Sequence, residues 1–234
     1  MVYLIPSYLH ENTPDTLSPA VKAAVSCCQV FYVENERSAR RYLKNLWKEM
    51  VIDDYEWVLA DKETIETKEV RDQFLADLRS GKNIGILSEA GCPGVADPGQ
   101  YLVSLSHQQG FAVKPLVGPS SILLALMASG LNGQQFCFRG YLPIESSARL
   151  REIRNIEQTS SRQRSTEIFM ETPYRNQALF DTLLNTCRKD TMLCIAANLT
   201  APDEFIHTCS IEAWAQKKPD LHKKPALFLL LAQG

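Results

Sequence analysis

A loop rich in glycine and proline, residues 88–99, is the segment of this chain best suited to hold a ligand. It reads Ser-Glu-Ala-Gly-Cys-Pro-Gly-Val-Ala-Asp-Pro-Gly and continues a buried, β-forming run, Ile84–Ser88. Ligands of open α/β sheets lie at the carboxyl ends of parallel strands, and small residues let a ligand approach the backbone closely. The same composition also suits a tight connection between a strand and a helix, so the loop alone leaves both interpretations open.

A second loop of this kind, Pro115–Ser121, reads Pro-Leu-Val-Gly-Pro-Ser-Ser and precedes an apolar helical segment. Free N–H groups at the start of that helix can hold a carboxylate or a hydroxyl, although they also fit a simple helix cap. Neither loop has the spacing of a P-loop or of the G-x-G-x-x-G dinucleotide fingerprint. The kinase and dehydrogenase interpretations are therefore disfavoured.

Alternating strand and helix patterns surround the first loop and predict an α/β domain. Buried strands are expected at Tyr3–Ile5, Val30–Val33, Ile84–Ser88 and Phe111–Leu116. Helical spacing of apolar residues is found in Ser18–Cys28, Glu36–Lys48, Lys68–Ser80 and Pro98–Gln109. This alternation is typical of βα units and a mainly parallel sheet. For the helix after the first loop, Asp97 suits the N-cap, Pro98 the first helical position and Gly110 the left-handed position after the end.

The second half of the chain has more strands and fewer helices, which predicts a mixed α+β domain. Strands are expected at Gln135–Tyr141, Ser165–Glu171, Thr191–Asn198, Glu204–Ser210 and Ala226–Ala232. A helix is expected at Asn176–Cys187, and the polar segment Glu145–Ser165 should form an exposed helix and a mobile loop. We place the domain boundary so that residues 1–117 form an N-terminal α/β domain and residues 118–234 a C-terminal one.

The overall charge gives no field that would draw the chain to nucleic acid or anionic lipid, because 27 acidic residues face 25 basic ones. A nucleic-acid substrate would need a local basic patch. The densest basic tract is a set of five arginines, namely Arg149, Arg151, Arg154, Arg162 and Arg164.

The start of the chain lacks a basic region before its short apolar run, and no apolar run is long enough to span a bilayer. We therefore expect a cytoplasmic protein without membrane association. Seven cysteines lack C-x-x-C spacing and four histidines fall singly, so reduced thiols and no structural metal are expected.

Four segments together resemble one family. Residues 88–99 resemble S-D-A-G-T-P-G-I-S-D-P-G, and Leu116–Leu131 resembles L-P-G-P-S-A with a following helix that ends in S-G-L. Phe136–Pro143 and Ile168–Arg175 resemble F-x-F-x-G-F-L-P and I-F-Y-E-S-P-H-R. In order and spacing, from about Tyr3 to Leu230, the chain is similar to the tetrapyrrole methylase superfamily. Within it, the chain is most similar to the branch that methylates the ribose 2′-O of small-subunit ribosomal RNA.

The resemblance implies a homodimer of two-domain chains with S-adenosylmethionine in the cleft between the domains. The positions that it assigns to cofactor binding are Ser88, Glu89, Ala90, Gly91, Cys92, Val95, Ser120, Ser121, Met170, Leu199 and Thr200. Backbone groups and apolar walls are expected to make most of the contacts, as in small-ligand pockets generally.

The chain departs from the family pattern mainly at charged positions. Residues 7–12 replace T-P-I-G-N and lack its glycine, and Val33–Arg37 replaces A-E-D-T-R. Glu89 stands for the aspartate of S-D-A-G, and Ala196–Ala201 replaces A-R-E-L-T-K with loss of an arginine, a glutamate and a lysine. The loops expected to bind the methyl donor are thus kept, whereas charges expected to face the acceptor are fewer.

Methyl transfer from a sulfonium requires proximity and orientation and no metal, but a weakly nucleophilic ribose hydroxyl benefits from a base. By their places in the family motifs, Glu34, Glu89 and Glu171 are candidate carboxylates, and Arg37 and Arg175 are candidate anion-binding groups. For catalysis we select Glu89, Arg37, Glu171 and Arg175. Alternatively, Glu171 and Arg175 bind only each other, and Arg37 lies on a solvated helix face.

Three functions remain open for the acceptor. The chain could methylate ribosomal RNA, gripped by the five arginines of the tract and by Arg37. It could methylate a tetrapyrrole or another small molecule, which the acidic composition and the missing charges at Ala197, Asn198 and Ala201 favour. It could also bind the cofactor without turnover.

Overall fold

The computed structural model describes residues 1–11 and 13–233 and divides into two compact units, Met1–Ser120 and Ser121–Gly234. Each unit contains a five-stranded sheet of its own. Asn12, the last residue of the divergent N-terminal segment, lies outside the described residues. Across residues 1–11 and 13–233, no helix combines the length and the apolar composition that crossing a bilayer requires.

The first unit is a parallel α/β sheet. Its strands are β1 (Val2–Ile5), β2 (Val30–Val33), β3 (Glu56–Leu59), β4 (Ile84–Leu87) and β5 (Val113–Pro115). Its helices are α1 (Pro19–Cys27), α2 (Glu36–Leu46), α3 (Lys68–Arg79) and α4 (Gln100–Gln108). The strand order is β3-β2-β4-β1-β5, and every neighbouring pair is parallel. The predicted mainly parallel sheet is confirmed, with β3 as an edge strand that the sequence patterns did not indicate.

Successive side chains of these strands point to opposite faces, so that each face of the sheet has its own apolar core. On β2, Val30 and Tyr32 belong to one core, whereas Phe31 and Val33 belong to the other. Burial on both faces explains why the strands read as unbroken apolar runs. The hydroxyl of Tyr32 donates to Asp77 Oδ2 at 2.8 Å, which satisfies the polar end of this buried side chain.

The helix after the first loop begins later than predicted. α4 starts at Gln100 with Gly99 as its N-cap, and Asp97 does not cap it. Instead, Asp97 Oδ1 accepts the backbone N–H groups of Gly94 (2.9 Å) and Gly99 (2.7 Å). The prediction of Asp97 as N-cap and Pro98 as first helical residue is wrong because this carboxylate closes the loop on itself. Gly110 has the predicted left-handed conformation, with φ +76°.

The second unit has the predicted mixed sheet. Its strands are β6 (Phe136–Tyr141), β7 (Thr166–Met170), β8 (Met192–Ala197), β9 (Phe205–Ser210) and β10 (Ala226–Leu231). Its helices are α5 (Ser121–Ser129), α6 (Ser146–Gln163), α7 (Asn176–Thr186) and α8 (Ile211–Gln216). In the order β6-β7-β10-β8-β9, only β6 and β7 are parallel to each other. Trp214 anchors the core, and its indole N–H donates to the carbonyl of Leu193 at 2.8 Å.

Helix α6 occupies almost all of residues 145–165, for which the sequence predicted an exposed helix and a mobile loop, so the helix is confirmed and the loop is wrong. Glu145 caps the helix by accepting backbone N–H groups of its first turn, and Arg164, at φ +54°, ends it. Ile153 and Ile156 are buried in the core of the unit. The polar composition suggested a loop, but a regularly spaced apolar stripe on one face is sufficient to fix a long helix.

Candidate active site

The loops that follow β1, β2 and β4 meet at one edge of the first sheet, because these strands are parallel neighbours. Ser7 and Gly91 form a two-way backbone pair: the N–H of Ser7 donates to Gly91 (2.8 Å) and that of Gly91 donates back (3.1 Å). The hydroxyl of Ser7 also donates to the carbonyl of Ser88 at 2.9 Å. The divergent N-terminal segment is thus bonded to the first glycine-rich loop.

The second loop packs against the same place. The thiol of Cys92 donates to the carbonyl of Pro119, with sulfur and oxygen 3.4 Å apart. A Cβ at Gly118 would overlap the ring of Pro6, so only glycine fits there. Gly91 has φ +76°, and any substitution at this position strains the backbone whether or not a ligand passes. The structure therefore brings the two predicted loops together.

A cavity of about 150 Å³ opens between the segment after β1, the loop after β4 and helix α2. Its polar lining consists of Ser7, Glu11, Ser38, Arg41, Ser88 and Glu89. Arg41 is paired with Glu11, and the hydroxyl of Ser38 donates to Glu89 Oε1. The cavity is smaller than the about 300–1,000 Å³ of typical ligand pockets. It therefore suits a single reacting group better than a whole cofactor.

Three carboxyl groups, those of Glu34, Glu89 and Asp97, gather next to this cavity. Glu34 Oε1 accepts the backbone N–H of Glu89 at 3.1 Å, and the carboxyl group of Glu34 lies beside that of Asp97. Burial, and secondly the adjacent Asp97, raise the pKa of Glu34 from 4.5 to about 7. Asp97 Oδ2 is buried and has no hydrogen-bond donor among the described residues. A protonated Glu34 carries the O–H donor that this oxygen lacks.

Of the predicted catalytic residues in the first unit, Glu89 lines the cavity and Arg37 does not. The side chain of Asn35 caps α2 by accepting the N–H groups of Arg37 and Ser38. The helix then places Ser38 and Arg41, three residues apart, on the cavity side, while Arg37 is exposed. Sequence reasoning missed Ser38 and Arg41, although helical spacing from the Asn35 cap could have indicated them.

Glu171 and Arg175 lie in the second unit and are bound to each other. Arg175 Nη2 donates to Glu171 Oε1 at 2.6 Å, and the backbone N–H of Thr172 donates to the same oxygen at 2.7 Å. The side chain of Glu171 is fully buried. The predicted pairing of these two residues therefore occupies Oε1 of Glu171 and leaves its other oxygen, Oε2, without a contact to Arg175.

Unpartnered polar atoms collect at one edge of the second sheet. Both β7 and β8 are antiparallel to β10 and end against its start, with Met170 opposite Leu227 and Ala197 opposite Ala226. Three buried atoms here have no hydrogen-bond partner in the part of the chain that the structure describes, namely Glu171 Oε2, Asn176 Oδ1 and Thr200 Oγ1. An unpaired buried polar group costs about 1–3 kcal/mol.

The backbone at this edge is strained as well. Asn198 and Thr200 have left-handed conformations, with φ +51° and φ +70°. Such conformations cost about 1–3 kcal/mol for residues other than glycine and concentrate at functional sites. Strained backbone and unpaired buried polar atoms thus occur together at the ends of β7 and β8, where the predicted residues Met170, Leu199 and Thr200 lie.

The other positions predicted to bind cofactor belong to the two loops. Ser88 is buried, whereas Glu89, Ala90 and Val95 are exposed. Ser120 ends the first unit, and Ser121 begins α5.

The predicted arginine tract is divided by the structure. Arg151, Arg154 and Arg162 line one open groove of about 560 Å³ on α6, whereas Arg149 and Arg164 do not. Arg188, which follows α7, completes this groove. We name it the α6 groove, with the lining residues Arg151, Arg154, Asn155, Glu157, Gln158, Ser161, Arg162 and Arg188.

The two α/β units, with their glycine-rich loops at the strand ends, agree with the protein family that the sequence matches. Residues 12–215 match the family of tetrapyrrole (corrin/porphyrin) methylases, and the chain belongs to this family. The predicted family is thereby confirmed.

Two relatives with high similarity share one name. The chain is 32% identical over 162 residues to ribosomal RNA small subunit methyltransferase I of Escherichia coli O157:H7, covering 69% of this chain and 55% of the relative. It is 34% identical over 166 residues to the protein of that name from Vibrio cholerae serotype O1, covering 69% and 56%. The chain thus matches little more than half the length of these curated relatives.

Solved structures share the fold at low sequence identity. Diphthine synthase superimposes with a TM-score of 0.69 at 15% identity, covering 99% of this chain and 89% of that one. Uroporphyrin-III C-methyl transferase from Thermus thermophilus, complexed with S-adenyl homocysteine, gives a TM-score of 0.56 at 19% identity, covering 98% and 96%. The predicted two-domain α/β fold is confirmed by these likenesses.

Proposed function

We propose that this protein is an S-adenosylmethionine-dependent methyltransferase that methylates a ribose 2′-hydroxyl of small-subunit ribosomal RNA. The proposal is carried by the unpartnered buried atoms at the ends of β7 and β8, in a chain that belongs to a methylase family. The relatives named ribosomal RNA small subunit methyltransferase I support RNA as the acceptor. The small-molecule alternative has no comparable support.

The residues at this edge suit the cofactor. Thr200 Oγ1 can donate to or accept from a ligand, and Glu171 Oε2 and Asn176 Oδ1 can each accept an N–H or O–H. S-adenosylmethionine offers amino and hydroxyl groups of this kind, and it supplies an electrophilic methyl group on its sulfonium. We propose that the cofactor contacts these atoms.

Glu89 is the residue that we assign to the acceptor hydroxyl. It lines the cavity, and the hydroxyl of Ser38 holds its Oε1 in place. Bound S-adenosylmethionine would supply the methyl group, and the carboxylate of Glu89 would accept the proton that the acceptor hydroxyl loses. Behind it, Glu34 fixes the backbone of Glu89 by accepting its N–H. Arg37 is exposed and outside the cavity, and we assign it no contact in this step.

We also propose that the protein is a cytoplasmic homodimer. Large apolar side chains exposed on the second unit support a self-association surface, with Met127 79% and Ile144 71% exposed. A cytoplasmic location would keep the seven cysteine thiols reduced.

A methyl-transfer assay tests the function. The protein is incubated with methyl-labelled S-adenosylmethionine and, separately, with small ribosomal subunits, naked small-subunit RNA and uroporphyrinogen III. Label should enter RNA and remain in alkali-stable dinucleotides, because a methylated 2′-oxygen cannot attack the neighbouring phosphate. Glu89→Gln should lower kcat by about 10²–10⁴ with a much smaller change in KM for the donor. Glu36→Gln, in the exposed first turn of α2, is the matched control and should remain active.

Label in the porphyrinogen alone would establish the small-molecule acceptor instead. Tight binding of S-adenosylhomocysteine in calorimetry, without label in any acceptor, would show that the chain is a non-catalytic relative.

A further inference from the structure

The arginines of the α6 groove are held on one solvent-facing side of the helix. Arg151, Arg154 and Arg162 occur at helical spacings, with Gln158 between the last two. At 1.5 Å per residue, this row extends over about 16 Å. The opposite side of α6 is fixed in the core through Ile153, which is 1% exposed. The helix therefore cannot rotate to remove the arginines from the groove.

Glu157 brings the fourth arginine to the groove across 31 residues of sequence. Its Oε1 accepts the backbone N–H of Arg188 at 2.8 Å and the hydroxyl of Thr191 at 2.6 Å. The carboxylate of Glu157 thus holds the segment after α7 beside α6. Because these donors occupy the carboxylate, its charge counteracts the arginines less than a free carboxylate would.

The guanidinium groups of the groove are available to a partner. Among the ion pairs of residues 1–11 and 13–233, none joins Arg151, Arg154 or Arg162 to a carboxylate. Arg188 pairs with Asp190 at 2.8 Å, but both side chains are 51% exposed. Exposed pairs of this kind contribute about 0–1 kcal/mol, so a stronger anion can replace Asp190 at little cost.

The lining of the groove identifies the kind of anion. Arginine binds phosphate through two parallel N–H donors, and asparagine, glutamine and serine are further common donors to nucleic-acid phosphates. The groove contains these residue types and no apolar side chain that could anchor a lipid tail or a peptide. We propose that the α6 groove binds consecutive phosphates of the RNA acceptor and that Arg188 is one of its contacts. This inference rests on the proposed function in RNA methylation.

Two neighbouring residues provide a matched pair for the test. Arg188 lines the groove, whereas Lys189, which is 84% exposed, does not, and each can be replaced by glutamine with the same loss of charge. Binding of a fluorescent single-stranded RNA is measured by anisotropy against salt concentration. Each lost phosphate contact should lower the slope of log affinity against log salt by about 0.7. Arg188→Gln should show this decrease, and Lys189→Gln should match the wild type.

The double variant Arg154→Gln/Arg188→Gln should lower the slope by about 1.4, so that the loss of affinity between about 50 and 200 mM salt is about sevenfold smaller than in the wild type. Binding of S-adenosylhomocysteine should be unchanged in all three variants. Equal slopes for Arg188→Gln and Lys189→Gln would refute phosphate binding by the α6 groove, but they would leave the proposed RNA methylation untouched. Absence of label in RNA from the wild type would instead overturn the proposed function. Both single substitutions are at exposed side chains, so both variants should fold like the wild type and their RNA affinities can be compared directly.

Discussion

Replacing Glu34 by glutamine should stabilise the protein at alkaline pH and have no effect in acid. Glutamine can accept the N–H of Glu89 through its oxygen, as Glu34 does, and its nitrogen presents an N–H donor beside Asp97. What it removes is the ionisation of a carboxyl group that sits beside another carboxylate. The charge is costly because the site is partly buried and because Asp97 is acidic.

The direction of the pH dependence follows from the raised pKa. Below about pH 4.5, folded and unfolded Glu34 are both protonated, so substitution changes little. Between about pH 4.5 and 7 the folded state keeps a proton that the unfolded state has lost, and the free energy of unfolding falls as pH rises. Above about pH 7 the whole cost is present in the wild type and absent in Glu34→Gln.

The size of the effect is smaller than the pKa alone implies. A shift of this size corresponds to about 3 kcal/mol at 1.36 kcal/mol per unit, but Glu34 is only partly buried and solvent screens its charge. We therefore expect a gain on the order of 1–2 kcal/mol at about pH 8. Urea titrations followed by tryptophan fluorescence measure it, because Trp47 and Trp57 both lie in the first unit.

Glu36→Gln removes the same charge two residues away, from an exposed pair with Arg40. Its stability relative to the wild type should be similar at about pH 5 and pH 8. A Glu34→Gln protein that is less stable than the wild type at alkaline pH, or equally stabilised in acid, would refute the raised pKa of Glu34.

Thr200→Val should raise the stability of the ligand-free protein by about 1–3 kcal/mol, since it removes an unpaired hydroxyl. In calorimetry, the variant should bind S-adenosylhomocysteine about 2- to 12-fold more weakly. A less stable variant with unchanged affinity would contradict the assignment of Thr200 to the cofactor. Gly118→Ala should destabilise the protein by about 1–3 kcal/mol or more, because its Cβ would overlap a proline ring, whereas Gly133→Ala, in open space, should be nearly neutral in thermal denaturation. Trp214→Phe should cost about 1–3 kcal/mol in urea denaturation, as the carbonyl of Leu193 loses its buried donor, and an unchanged midpoint would exclude that bond as a stabilising contact.

The sequence predicted those parts of the fold that depend on local composition. Apolar runs indicated four of the five strands of the first unit, and the two glycine-rich loops indicated where ligands would approach. The start of α4 was missed because the choice of Asp97 between capping a helix and closing a loop depends on where Gly94 and Gly99 lie. The strand β3 was missed because an edge strand buries only part of its side chains.

The candidate site was harder to predict, because the order of the strands in the sheet brings together residues that are far apart in sequence. Glu34 and Glu89 meet only because β2 and β4 are neighbours in the sheet, an order that no local pattern encodes. Likewise, Arg188 enters the α6 groove through a hydrogen bond to Glu157, far away in sequence. Composition suggested the basic tract, but the positions around helix α6 decide that Arg151 and Arg154 line the groove and that Arg149 does not.

The position of β1 in the first sheet sets the order of events during synthesis of the chain. β1 pairs with β4 and β5, whose residues leave the ribosome about 80 to 110 positions later. At about 5–20 residues per second, this apolar segment waits roughly 5–20 s for its partners. Pairings so distant in sequence are also slow to form once the chain is complete. The first unit therefore cannot close as its residues emerge, and its N-terminal strand is the segment most exposed to chaperones and to aggregation during that interval.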